Sequence, residues 1–246
     1  MLAFTTVVVA LTACGGSGGE PREPISDAQS RIPARPGRGG GNCQPGEHSL
    51  RVGAGREALM RVTPGTRSGA KALILTLHGA NSGGAGGGLY AFRGAWDVPG
   101  LVLVSPASEE ITWSFLRGRD KDLPVVNRAL AQAFARCRVD PRLVAVGGFS
   151  DGATYALTLG LANGDLFRAV IALSPGGALA EKRVGRPRFF VAHGTRDRVL
   201  PIAATRDVAV DAIRDLSYAV TYRRFQGQHE VRPEIARAAV RWFLGT

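Results

Sequence analysis

From residue 71 onward, short apolar runs rich in β-branched residues and Leu alternate with stretches whose apolar positions recur at helical spacing, and few folds accept that alternation. The runs at Arg56 to Val62, Lys71 to Leu77, Leu101 to Ser105, Leu143 to Gly147, Ala169 to Leu173, Arg188 to Ala192 and Ala219 to Phe225 read as strands. Helices are predicted at Leu123 to Cys137, Ala153 to Ala162, Ala203 to Leu216 and Pro233 to Leu244, with Val126, Leu130, Ala133 and Phe134 forming one apolar side of the first. Strands joined through helices pair in parallel and bury both faces, so the expected class is α/β: a mostly parallel central sheet with helices on both faces. The short strands before residue 71 predict an antiparallel edge. A length of 246 residues with 45% hydrophobic content suits a single core, and no internal repeat or second domain is visible.

The N-terminus reads as an address. Leu2 to Ala13 is apolar, too short to span a bilayer but of the length of a secretory signal's hydrophobic region. It ends Leu11-Thr12-Ala13-Cys14, which resembles the lipobox of bacterial lipoproteins, although no Lys or Arg precedes the apolar run. That resemblance implies cleavage after residue 13, acylation of Cys14 and export to the cell envelope as a lipid-anchored protein, or secretion. Residues 14–46 are dominated by Gly, Pro, Arg and Ser and are expected to be a flexible linker, with the folded domain spanning 47–246. In an oxidising compartment Cys43 and Cys137 are either a disulfide or two thiols, and spacing does not choose between them. The net charge of +11 comes from Arg scattered among Ala, Gly and Pro, with Lys only at 71, 121 and 182, so no basic stripe for nucleic acid is expected.

Gly148-Phe149-Ser150-Asp151-Gly152 follows an apolar strand and precedes a helix. A nucleophilic serine at such a turn needs glycine on both sides, because the backbone is strained and side chains there would collide with neighbouring elements. The pattern alone is weak, since Gly15-Gly16-Ser17-Gly18-Gly19 also fits it, but that stretch has neither strand before it nor helix after it.

A serine hydroxyl needs a base to become nucleophilic, and the base needs an orienting acid. Of the histidines at 48, 78, 193 and 229, only His229 lies beyond a suitable acid in the order Ser, acid, His, and its loop Gln226-Gly227-Gln228-His229 separates the last strand from the last helix. Asp197, in the loop after the penultimate strand, precedes it by 32 residues, enough for one helix and one strand. Asp207, Asp211 and Asp215 fall inside the intervening helix, Asp165 and Glu181 sit in worse places, and Glu230 adjoins the histidine itself.

Acyl transfer also needs donors for the oxyanion of the tetrahedral intermediate. The glycine-rich loop Leu77-His78-Gly79-Ala80-Asn81-Ser82-Gly83-Gly84 offers the Ala80 N–H beside that of Asp151, with His78 as a structural residue. This loop lacks the Lys followed directly by Ser or Thr that a phosphate-binding loop requires. Trp113, in Ile111-Thr112-Trp113-Ser114-Phe115, and Phe149 are the expected linings of a substrate pocket.

Together, the Leu-His-Gly loop at 77–79, Gly-Phe-Ser-Asp-Gly at 148–152, His-Gly-Thr-Arg-Asp-Arg-Val-Leu-Pro at 193–201 and His229 resemble the phospholipase/carboxylesterase family of α/β-hydrolases, including secreted esterases and relatives of polyester depolymerases. The resemblance covers nearly the whole of 47–246. It implies the α/β-hydrolase fold and a Ser150–Asp197–His229 triad that hydrolyses carboxylic esters through an acyl-enzyme with no metal and no cofactor. The absence of a long apolar insertion favours short or medium, soluble acyl esters over emulsified fat. The alternatives are a peptidase or thioesterase using the same triad, and a surface lipoprotein that only binds, with the triad idle.

Overall fold

The computed structural model describes residues 31–246 apart from 54, 66–68, 83, 119 and 178–182. The signal segment 1–13, Cys14 and the tract 15–30 therefore lie outside the described residues.

Eight strands form one sheet in the order β1-β2-β4-β3-β5-β6-β7-β8. They are β1 (Gly46–Arg51), β2 (Glu57–Val62), β3 (Lys71–Leu77), β4 (Leu101–Pro106), β5 (Val139–Phe149), β6 (Ala169–Leu173), β7 (Arg188–Gly194) and β8 (Val220–Phe225). β1 and β2 pair antiparallel with each other, β2 pairs antiparallel with β4, and every other pairing is parallel. The antiparallel edge and parallel body follow the sequence expectation.

Strand alternation feeds two cores. Leu73, Leu75 and Leu77 of β3 face one layer with Val144 and Val146, under the helices α2 (Leu123–Arg136) and α3 (Asp151–Ala162). Ala72 and Ile74 face the other, with Leu103, Ala145 and Ile171, under α1 (Gly84–Ala91) and α6 (Pro233–Leu244). α3 is buried from Gly152 to Ala162, which explains why it is apolar on all sides rather than striped. The helix expected at 203–216 is broken in character: α4 (Ile202–Thr205), a π-helical turn over Arg206–Asp211, and α5 (Ala212–Asp215).

Two further features depart from the expectation. α1 occupies a stretch so rich in glycine that propensity argues against a helix. It forms because the missing side chains let it lie against the sheet: a Cβ on Gly88 would collide with Ser105 Oγ and come within 2.8 Å of the Thr76 carbonyl.

The second correction is the linker boundary at residue 46, since residues 31–45 pack on the domain. Ile32 is buried, with its N–H on Asn163 Oδ1 at 2.8 Å, and the Ala34 N–H reaches Asn127 Oδ1 at 2.9 Å. Arg31 and Arg35 both pair with Asp165, and Cys43 forms a disulfide with Cys137 just beyond α2. Composition predicted a tether because the segment has little to bury. What holds it is amide, carboxylate and sulfur partners contributed by distant helices.

Candidate active site

β3, β5, β6, β7 and β8 run parallel, so the loops that follow them meet at one edge of the sheet, where ligands bind in open α/β sheets. Ser150 stands there between β5 and α3 with φ at 55°, in a region that residues with a side chain rarely adopt. Its N–H bonds the Leu173 carbonyl at 2.9 Å. The flanking glycines are sterically required: a Cβ on Gly148 would strike the Gly152 carbonyl, and one on Gly152 would strike those of Leu77 and His78. Asn81 and Ser174, after β3 and β6, also have positive φ, at 56° and 50°. Of the four described non-glycine residues with positive φ, these three stand after the parallel strands β3, β5 and β6, while Ser217 lies elsewhere, in the turn before β8.

The three residues selected from sequence order come together. His229 Nε2 lies 2.9 Å from Ser150 Oγ, and His229 Nδ1 lies 2.7 Å from Asp197 Oδ2. A carboxylate only accepts, so Nδ1 carries the proton and Nε2 presents its lone pair to the serine hydroxyl. Asp197 is buried, and its other oxygen accepts the N–H groups of Val199 at 2.9 Å and Leu200 at 2.8 Å. The acid and histidine loops are stitched by Thr195 N–H to the Phe225 carbonyl and Arg196 N–H to that of Gly227, each at 2.9 Å. Gly194 permits this approach, because a Cβ there would meet the carbonyls of Gly227 and Gln228.

Ala80 and Asp151 follow β3 and Ser150, and among the described residues neither N–H has a protein acceptor. Gly79 lets the first of these loops lie against the second, since a Cβ there would be 3.1 Å from that of Ser150. His78 is structural, as expected: its buried ring donates Nδ1–H to the Gly79 carbonyl at 2.8 Å and accepts the Ser108 N–H on Nε2 at 3.0 Å. Burial lowers its pKa, keeping the ring neutral.

No protein-family model matches the sequence, and no curated protein does. Solved structures do match. Esterase PE8 superposes with a TM-score of 0.58 at 24% identity, over 76% of this chain and 96% of its own. The S-formylglutathione hydrolase of Staphylococcus aureus gives 0.65 at 12% identity, over 82% and 98%. A ferulic acid esterase gives 0.64 at 16% identity, over 80% and 96%. The chain has the α/β-hydrolase fold. Within it, Ser150 holds the strand-to-helix elbow characteristic of α/β-hydrolases, and Asp197 and His229 stand in the loops after the last two strands.

One pocket residue is corrected. Trp113 has no exposed surface and cannot line a pocket; it packs on His78 and Tyr155 and donates Nε1–H to the His78 carbonyl at 2.8 Å. An aromatic residue in a loop at the correct edge looks the same in sequence whether it faces ligand or core. Phe149 is only partly buried, with its ring 4.8 Å from that of His229, so it does border the site.

Sequence reasoning missed the support behind Trp113. Asp122 is wholly buried and accepts Arg56, the Glu109 N–H at 2.8 Å, the Ser114 N–H at 2.7 Å and Ser114 Oγ–H at 2.6 Å. The loop it holds reaches the neighbours of Ala80 and of Ser150, through Asn81 N–H to the Ile111 carbonyl at 3.0 Å and Thr112 Oγ–H to Asp151 Oδ2 at 2.6 Å. Its only sequence signal was an acid before Leu123-Pro124, which reads as a helix cap. Yet Asp122 makes no cap bond, and Asp120 accepts the Leu123 N–H instead.

Proposed function

We propose that this α/β-hydrolase cleaves carboxylic esters through an acyl-enzyme on Ser150. The observation that carries the reading is the continuous hydrogen-bond line from Ser150 Oγ through both nitrogens of His229 to Asp197. The likeness to solved esterases supports it.

In this mechanism His229 Nε2 takes the Ser150 proton as Oγ attacks the acyl carbon. Asp197 stabilises the imidazolium and keeps the ring in register. The N–H groups of Ala80 and Asp151 receive the oxyanion, a contribution of about 3 kcal/mol per donor where one has been removed from such sites. Collapse expels the alcohol, protonated from His229. Water then gives its proton to His229 and attacks the acyl-enzyme, releasing the acid and restoring Ser150. Phe149 borders the acyl or alcohol group, and short or medium acyl esters are the proposed substrates.

We also infer from the N-terminal motif an exported protein anchored through Cys14. Loss of labelled palmitate incorporation in Cys14→Ser checks this, and undiminished incorporation would refute it.

The activity is tested with p-nitrophenyl esters of graded acyl length and a fluorophosphonate probe on the wild type and Ser150→Ala. Turnover and labelling that fall by about 10⁴-fold or more in the variant are expected. A wild-type protein that is folded yet neither labels nor turns over any ester would overturn the reading.

A further inference from the structure

Asp197 has a second histidine against it. The His193 side chain, on β7, has no exposed surface, and its Nε2 lies 2.7 Å from the Leu200 carbonyl oxygen and 3.1 Å from Asp197 Oδ2. Both neighbours are acceptors, so Nε2 must carry the proton, leaving Nδ1 as a bare lone pair. Nδ1 is buried with no hydrogen-bond partner. A proton there would add a charge and a donor in a place that accepts neither, and burial accordingly lowers the pKa of the ring. The imidazole is thus neutral and has one donor, committed to one spot.

That spot includes the carboxylate oxygen that His229 uses. Asp197 Oδ1 is held by the Val199 and Leu200 N–H groups, whereas Oδ2 faces His229 Nδ1 at 2.7 Å and His193 Nε2 at 3.1 Å. A ring that merely filled space would be replaceable by an aliphatic side chain. One that merely closed the loop would need the Leu200 carbonyl alone. During catalysis His229 alternates between neutral and charged forms and pulls on Oδ2 unequally. A fixed, uncharged donor on the same oxygen opposes its displacement without competing for it as a second cation.

We propose that His193 is a positioning residue for the triad, its Nε2–H shared between the Leu200 carbonyl and Asp197 Oδ2 so as to fix the oxygen that receives His229 Nδ1–H. This rests on the reading of Ser150, Asp197 and His229 as a working triad. Supporting partners of this kind typically change activity by about 10- to 100-fold when removed.

The test compares His193→Leu, which keeps bulk without a donor, with His193→Gln, whose amide extends about as far as Nε2. On a short p-nitrophenyl ester, His193→Leu is expected to lower kcat by about 10- to 100-fold with KM changed less than about threefold, and to move the acid limb of the kcat/KM profile. His193→Gln is expected to recover most of the loss. In ¹⁵N-histidine-labelled protein, the His229 Nδ1–H resonance should move in the Leu variant and return in the Gln variant. A folded Leu variant with wild-type kcat, pH profile and resonance overturns the proposal, as does a Gln variant no better than Leu. Should His193→Leu fail to fold, His193→Asn replaces it, because the shorter amide stops near Nδ1; Asn equal to Gln then overturns the proposal. An inactive, unlabelled wild type would sink the triad reading instead. The resonance would still decide the positioning role: moved in the donor-less variant supports it, unmoved overturns it.

Discussion

Replacing Asp122 by Ala should be the costliest change outside the core, although no reacting atom touches it. Its side chain is completely buried, and that of Arg56 opposite is only 11% exposed. Removing one partner of such a pair strands the other charge and typically costs about 3–5 kcal/mol. Arg56 keeps weaker company in the Lys121 carbonyl at 3.1 Å and Glu109 at 3.7 Å, which argues for the lower end, about 3 kcal/mol. The Glu109 and Ser114 N–H groups lose their acceptor as well. For a domain of this size each kcal/mol moves the melting midpoint by about 2–4 °C, so a fall of roughly 6–12 °C is expected. Thermal and urea melts at pH 7 measure it, with Arg56→Met added to the same background. The double variant should recover stability, because it removes the stranded charge. A loss under about 1 kcal/mol, or a double variant less stable than Asp122→Ala, would mean that the pair behaves as a solvated one and would refute the reasoning.

Trp113→Phe keeps the ring between His78 and Tyr155 but deletes the donor to the His78 carbonyl, which should cost about 1–3 kcal/mol and lower kcat more than it raises KM; an unchanged kcat would separate the loop after β3 from this brace. Cys43 and Cys137 are 94 residues apart, so Cys43→Ser with Cys137→Ser should lose about 4 kcal/mol in denaturant melts, and a loss below about 1 kcal/mol would show that the 31–45 strap is held without the bridge. Burial raises the Asp120 carboxyl to about 6. A raised carboxyl binds its proton better folded than unfolded, so it stabilises the fold below about pH 4, and that contribution is lost as pH rises through about 6. Asp120→Asn, which cannot ionise, should therefore gain on the wild type between pH 4 and 7 in parallel melts. A difference that is constant with pH would contradict the raised pKa.

The sequence by itself determined the layered plan and the identity of the central trio. Periodicity marks most elements because a strand at a sheet face and a helix on it each bury one side, and chain order then leaves Asp197 as the acid in the loop after the penultimate strand. Gly148 announces the elbow because its close approach is local, to the Gly152 carbonyl four residues on, whereas Gly152 makes room for the Leu77 and His78 carbonyls at the end of another strand. Tertiary structure alone decided what depends on partners far away in the chain. The glycines of α1 became a helix because β3 and β4 lie against it; residues 31–45 became ordered because Asn127, Asn163, Asp165 and Cys137 received them. Trp113 faces inward, where its Nε1–H meets the His78 carbonyl, and Asp122 is bound by Arg56 and Ser114 rather than capping the helix that follows it. In each case the deciding energy is a contact between segments, while composition and spacing record only what a segment can do with its own neighbours.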